Sequence, residues 1–293
     1  MTTRAADLHA ADDAGLLARL ERMGVRHDVA HLGRNVVWRR FGEGPPLVLL
    51  HGGHGNWMHW VRNIEALAAR HTLWLADMPG FGDSDTLAGD DHAPDRLERL
   101  VQALIATLDH LVGENSEIAI AGFSFGALVA AHIAARRPRV TRLALLGPAG
   151  HGGARRQGQP MQDWRIDDEH EMRRRLRHNL LALMLHDEKL ADGLAMAVHE
   201  QACKATRFRS RTISRQASLG NLLAAYRGPT LLMWGEHDVT AVPVEAAQQL
   251  ASSASHRDWC VIPAAGHWVQ FERWQEVNPM LLRWFSDASA SPA

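Results

Sequence analysis

Ser116-Glu117-Ile118-Ala119-Ile120-Ala121-Gly122-Phe123-Ser124-Phe125-Gly126-Ala127-Leu128-Val129-Ala130 lies near the middle of the chain, and the change of pattern at Ser124 decides the fold. Residues 116–124 read as a strand and 126–137 as a helix, so Ser124 sits at the junction. A serine at a sharp strand-to-helix turn has a strained backbone, and its neighbours must be small for the two backbones to approach. Gly122 and Gly126 meet that need. The helix that follows points its free N–H groups and positive dipole end towards the turn, where a developing negative charge is stabilised.

Moving outward, the same β/α rhythm extends in both directions. Residues 13–23 read as an amphipathic helix with Leu16, Leu17 and Leu20 on one face. Apolar runs at 25–33, 34–42 and 45–52 read as strands; the wholly apolar Leu47–Leu50 suits a strand buried on both faces. A helix is expected at 57–70, a strand at 71–78, a helix at 94–112 and a strand at 140–147. The alternation stops at Gly147-Pro148. Residues 149–218 read as helical and arginine-rich, and the rhythm resumes with a strand at 228–238, a helix at 243–252, a strand at 257–267 and a last helix at 270–286. The expectation is an α/β class, with a mostly parallel eight-stranded sheet flanked by helices. Residues 1–148 and 219–293 would form the core, and 149–218 a helical cap inserted after the sixth strand, over the carboxyl ends of the strands where open sheets bind ligands.

A serine hydroxyl is a weak nucleophile without a base, and the base needs a carboxylate to fix its tautomer. Both partners occur at the ends of later strands. Asp238 closes TLLMWGEHD and His267 follows WCVIPAAG, so the order is Ser124, Asp238, His267. Glu236 is the rival acid. The glycine-rich His51-Gly52-Gly53-His54-Gly55 follows the strand Leu47–Leu50. It assigns one oxyanion donor to the N–H of Gly53, with the second from Phe125. His51, His54 and His59 raise a metal reading, but no matching Asp or Cys spacing accompanies them and no metal is expected. Neither G-x-G-x-x-G nor a phosphate-loop lysine occurs, so no cofactor is expected.

Gly122-Phe123-Ser124-Phe125-Gly126 resembles the nucleophile elbow of the α/β-hydrolases, and the resemblance extends from about residue 35 to the end. The stretch Asp77–Asp85 is similar to the loop after the fourth strand in that family. Gly266-His267-Trp268-Val269-Gln270-Phe271-Glu272 resembles the C-terminal motif of the meta-cleavage product hydrolases, which split a carbon–carbon bond in vinylogous 1,5-diketo acids. That resemblance implies a substrate contact for Trp268. Two departures accompany it. Phe123 stands where those enzymes carry an asparagine, and Gln201 falls where they carry a cap arginine, with Arg207 and Arg209 shortly downstream. The expected substrate contacts are His54, Trp57, Phe123, Trp268 and Arg207. Trp60 is a further candidate for the cavity wall, and Leu180, Leu181, Leu183, Met184, Leu185, Leu194 and Met196 are candidates for an apolar pocket.

The function expected is hydrolysis of a small, largely apolar ester or lactone through an acyl-enzyme. Carbon–carbon cleavage of a 2-hydroxy-6-oxo-dienoate is the alternative, and a ligand receptor on the same fold is the alternative of another class. A serine at 124, rather than a carboxylate, argues against haloalkane and epoxide chemistry. The 293 residues carry 32 Lys and Arg against 33 Asp and Glu, so no net field recruits nucleic acid or an anionic membrane. Two cysteines, Cys203 and Cys260, do not make a disulfide framework. The first residues lack the apolar core of a signal peptide, and no apolar run reaches the roughly 18 residues of a membrane span; a cytoplasmic monomer or homodimer acting on a small molecule is the expectation.

Overall fold

The computed structural model describes residues 15–90, 92–252 and 254–286. The start of the expected first helix therefore lies outside the described residues, which begin inside it; helix α1 covers 15–23. The strands are β1 (Val25–His31), β2 (Arg34–Phe41), β3 (Pro46–Leu50), β4 (Thr72–Asp77), β5 (Ile118–Phe123), β6 (Val140–Leu146), β7 (Thr230–Gly235) and β8 (Arg257–Ile262). They form one sheet in the order β1-β2-β4-β3-β5-β6-β7-β8. β2 runs antiparallel to both neighbours, and every other pair is parallel.

Two apolar layers cover the sheet, and β3 shows how one strand feeds both. Val48 and Leu50 join the layer beneath α3 (Arg96–Val112), α4 (Phe125–Ala134) and α9 (Pro243–Ala251). Leu47 and Leu49 join the layer beneath α1, α2 (Ile64–Ala68) and α11 (Trp274–Ser286). Alternate side chains leave opposite faces of a strand, so a run apolar at every position is what a strand with two covered faces requires.

Two expected helices are broken. Residues 57–70 form a 3₁₀ turn at Trp57–Trp60 and then α2. The Asn56 side chain caps the turn by accepting from the Met58 N–H, and the Asn63 amide donates to the Gln270 carbonyl and the Asn278 side chain. A local cap thus fixes the start of the turn and tertiary bonds anchor its end. The last helix splits into α10 (Val269–Glu272) and α11.

Between β6 and β7 lie α5 (Glu169–Leu183), α6 (Leu194–Lys204), α7 (Arg211–Ser214) and α8 (Leu219–Ala225). Residues 151–168 carry no helix, against the expectation of a wholly helical insertion. This stretch holds four glycines or prolines and exposes most of its residues, so it has neither the propensity nor the apolar face for one.

The register of the central strands sets the site. Leu50 pairs with Gly122, Phe123 with Leu146, and Leu146 with Met233. The residues just past β3, β5, β6 and β7 therefore emerge at the same edge.

Candidate active site

Ser124 has φ 54° and ψ −115°, a left-handed conformation unusual for a residue with a side chain. The flanking glycines show what holds it there. A Cβ at Gly122 would lie 2.6 Å from Ala127 Cα, and one at Gly126 would lie 2.5 Å from the Leu50 carbonyl oxygen. The turn closes only because neither exists.

The three polar side chains read from the sequence meet at this edge. His267 Nε2 lies 2.8 Å from Ser124 Oγ, and His267 Nδ1 lies 2.8 Å from Asp238 Oδ2. Asp238 is fully buried, and its second oxygen accepts the Thr240 N–H at 2.7 Å and the Thr240 hydroxyl at 2.8 Å. Burial alone would raise the Asp238 pKa. The charge and hydrogen bond of His267, with the two bonds from Thr240, outweigh it and hold the carboxyl below its ordinary value. An ionised carboxylate on Nδ1–H leaves Nε2 unprotonated and facing the serine, the arrangement a general base needs. Glu236 is ruled out as its partner: it is half exposed and accepts from the Ala264 N–H.

Gly147 completes the arrangement. Its φ is +49°, and a Cβ there would sit 2.9 Å from the His267 ring and 3.1 Å from Asp238 Oδ2. Sequence reasoning passed over both Gly147 and Thr240; the halt of the β/α pattern at Gly147 was the signal for the first.

The turn after β3 lies against the serine. A Cβ on Gly52 would be 3.2 Å from Ser124 Cβ, and one on Gly53 would be 3.9 Å from Phe125 Cβ. No hydrogen bond takes the N–H of Gly53 or of Phe125 among the described residues. Two buried histidines brace this turn. His51 Nε2 accepts from the Met78 N–H at 3.0 Å, and His59 Nδ1 accepts from the Gly52 N–H at 3.1 Å. Burial lowers the His51 pKa to about 4 and takes that of His59 well below its usual value, so both serve as neutral acceptors.

A cavity of about 350 Å³ opens over Ser124 and His267. Gly53, His54, Phe123 and Phe125 line it. Burial, reinforced by Arg165, lowers the His54 pKa. Three expected substrate contacts are corrected. Trp57 is buried, stacks on Phe41 and carries Arg39 over its ring, so it belongs to the core. Trp268 is fully buried; it stacks on Phe271 and donates its indole N–H to the His59 carbonyl at 2.9 Å. Trp60 is likewise core. Arg207 is not in the wall of this cavity and spends its guanidinium on the carbonyls of Gly82, Ser84 and Ala205. Of the apolar candidates, Leu183 and Met184 reach the cavity. The wall also contains Trp164 and Asn179, which sequence reading missed, and Arg155, Arg165, Arg211 and Arg215 of the arginine-rich insertion.

Glu272 was also missed, though it lies in the quoted motif. Its buried carboxylate accepts the N–H groups of Gly266, His186 and Asp187, tying the loop before His267 to the segment after α5.

The family model for the alpha/beta hydrolase fold matches residues 45–273. The chain belongs to the α/β-hydrolase fold family. This hydrolase is 26% identical, over 270 residues, to the 2-hydroxy-6-oxo-6-phenylhexa-2,4-dienoate hydrolase of Comamonas testosteroni, covering 84% of this chain and 90% of that one. It is 30% identical over 263 residues to the dihydrolipoyllysine-residue acetyltransferase component of the acetoin cleaving system of Pseudomonas putida. That match covers 85% of the hydrolase and 66% of the relative, just under two thirds of its length. A crystallised serine hydrolase from the polyaromatic-hydrocarbon-degrading bacterium Cycloclasticus zankles has the same fold, with TM-score 0.73 at 20% identity over 92% of this chain and 100% of the other. No helix among the described residues is long and apolar enough to cross a membrane.

Proposed function

We propose that this hydrolase cleaves a small ester or lactone through an acyl-enzyme on Ser124. The observation that carries the reading is the unbroken relay from Asp238 through His267 to Ser124 Oγ, with both contacts to the imidazole at 2.8 Å. His267 takes the serine proton as Oγ attacks the carbonyl, and Asp238 balances the imidazolium. The N–H groups of Gly53 and Phe125 receive the oxyanion. The leaving group departs with the proton held by His267, and a water activated by the same imidazole frees the acid. Residues 149–218 act as the cap, supplying the far wall of the cavity and so the specificity.

The second reading is hydrolysis of a carbon–carbon bond in a 2-hydroxy-6-oxo-dienoate, with His267 assisting ketonisation first. The relatives named for that activity favour it, as do cavity arginines able to meet a substrate carboxylate. Phe123 and the diverted Arg207 weigh against it.

Ser124→Ala is expected to lower kcat/KM for p-nitrophenyl butyrate by about 10⁴-fold or more while the thermal midpoint holds. Retention of most activity in that variant sinks the nucleophile assignment. Equal treatment of a ring-fission dienoate then decides between the two readings: turnover of the dienoate above the ester establishes the second.

A further inference from the structure

A second cavity, of about 720 Å³, adjoins the catalytic one, and His54, Asp163, Arg165, Ser210 and Arg211 line both. Its own wall adds Arg96 from α3, together with Arg207 and Arg209. Five arginines thus line a space whose one carboxylate among the described residues is Asp163, which accepts the Arg165 backbone N–H; the guanidinium of Arg207 is held by the carbonyls of Gly82, Ser84 and Ala205.

The contrast with the rest of the insertion gives this weight. On α5, Arg173, Arg174, Arg175 and Arg177 all pair with acids, among them Glu171, Asp192 and Glu200. Around the second cavity, Arg165, Arg209 and Arg211 make no ion pair among the described residues. Arg96 reaches Thr212 and the Ala93 carbonyl, yet its Nε is buried without a partner. Arginines massed without counter-charges in a nearly neutral protein repel one another, and several guanidinium forks converging on one space suit a group with several acceptor oxygens.

We infer that this second cavity is a vestibule for a phosphate group carried on the substrate's leaving group. The inference rests on the acyl-transfer reading of Ser124. Oγ bonds to the acyl carbon, the carbon–sulfur or carbon–oxygen bond breaks, and the phosphorylated thiol or alcohol leaves with the His267 proton. The phosphate stays intact throughout and serves only to anchor.

The test compares hexanoyl thioesters of pantetheine and of 4′-phosphopantetheine, and hexanoyl esters of ethylene glycol and of 2-hydroxyethyl phosphate, giving a long and a short arm. For at least one pair the phosphorylated member should show a kcat/KM about tenfold higher, mainly through KM, and the advantage should shrink as salt rises. Arg209→Gln and Arg96→Gln should each pull that ratio towards one; using a ratio cancels any general loss of folded enzyme. A 4′-O-carboxymethyl pantetheine thioester supplies the control: a preference as large as that for the phosphate overturns phosphate recognition. Ratios near one in both pairs, with p-nitrophenyl hexanoate still hydrolysed, overturn the vestibule alone. Failure of every substrate to acylate Ser124 removes the acyl-transfer reading as well.

Discussion

On the sheet side of the catalytic cavity, Asp238 satisfies both carboxylate oxygens, His267 both ring nitrogens, and His51 and His59 each receive a backbone N–H. On the side formed by residues 149–218, Arg155, Arg165, Arg211 and Arg215 line the same space with no acid partner among the described residues. Burial and the neighbouring Arg215 even lower the Arg155 pKa. The sheet side has its hydrogen bonds spent internally, which leaves one geometry for the reacting groups. The opposite side holds guanidinium groups with no acid partner among the described residues, which under the proposed function are left for a ligand.

Breaking the sheet side should cost most. Asp238→Asn keeps the shape but favours the wrong imidazole tautomer, and is expected to lower kcat for a neutral ester by about 10⁴-fold. A loss under tenfold would mean that Asp238 only holds the loop.

Acid should act on the same side through stability. His51 has a folded pKa of about 4, against 6.5 in the unfolded chain, so only the unfolded chain gains a proton between those values. Stability should therefore fall as pH drops from 6.5 towards 4, by about 3 kcal/mol from this group across the window. Urea midpoints measured across that range should show a shallower pH dependence in His51→Asn than in the wild type, whatever the variant's absolute stability. Equal slopes would place the titrating groups elsewhere; buried His199, also lowered to about 4, is the next to examine.

Gly147→Ala should come third. The added methyl must push His267 or Asp238 aside, and a displacement of that kind costs on the order of 10²-fold in kcat. Unchanged kcat would show that the loop after β6 yields freely. The smallest effect belongs to the cap side. Arg215→Gln should reduce selectivity for an ester bearing a terminal carboxylate, over its neutral counterpart, by about three- to tenfold. A ratio that does not move would mean Arg215 is a solvated surface charge, and the contrast between the two walls would lose one of its members.

The elements that the sequence made legible share a physical basis. Ser124, Asp238 and His267 each follow a strand whose apolar pattern is local, and local patterns are read from neighbours in the chain. The same holds for Gly53 and Phe125, which sit at the two turns those strands dictate. Trp57 and Trp268 were misread, and Arg207 lies outside the cavity over Ser124, because residue type and proximity to a motif do not specify direction. Trp268 adjoins His267 in sequence yet stacks on Phe271 behind it, and Arg207 is captured by the carbonyls of the loop at 82–86.

The sequence by itself determined the class of fold, the turn that bears the serine and the strand ends that carry Asp238 and His267, because strand periodicity and glycine placement are properties of short segments. The tertiary structure alone decided between Asp238 and its rival Glu236, that Gly147 must lack a side chain, and which arginines have no ion pair among the described residues around the cavities. Those outcomes depend on contacts between residues tens to more than a hundred positions apart, made only when the strands come into register and the insertion folds over their ends.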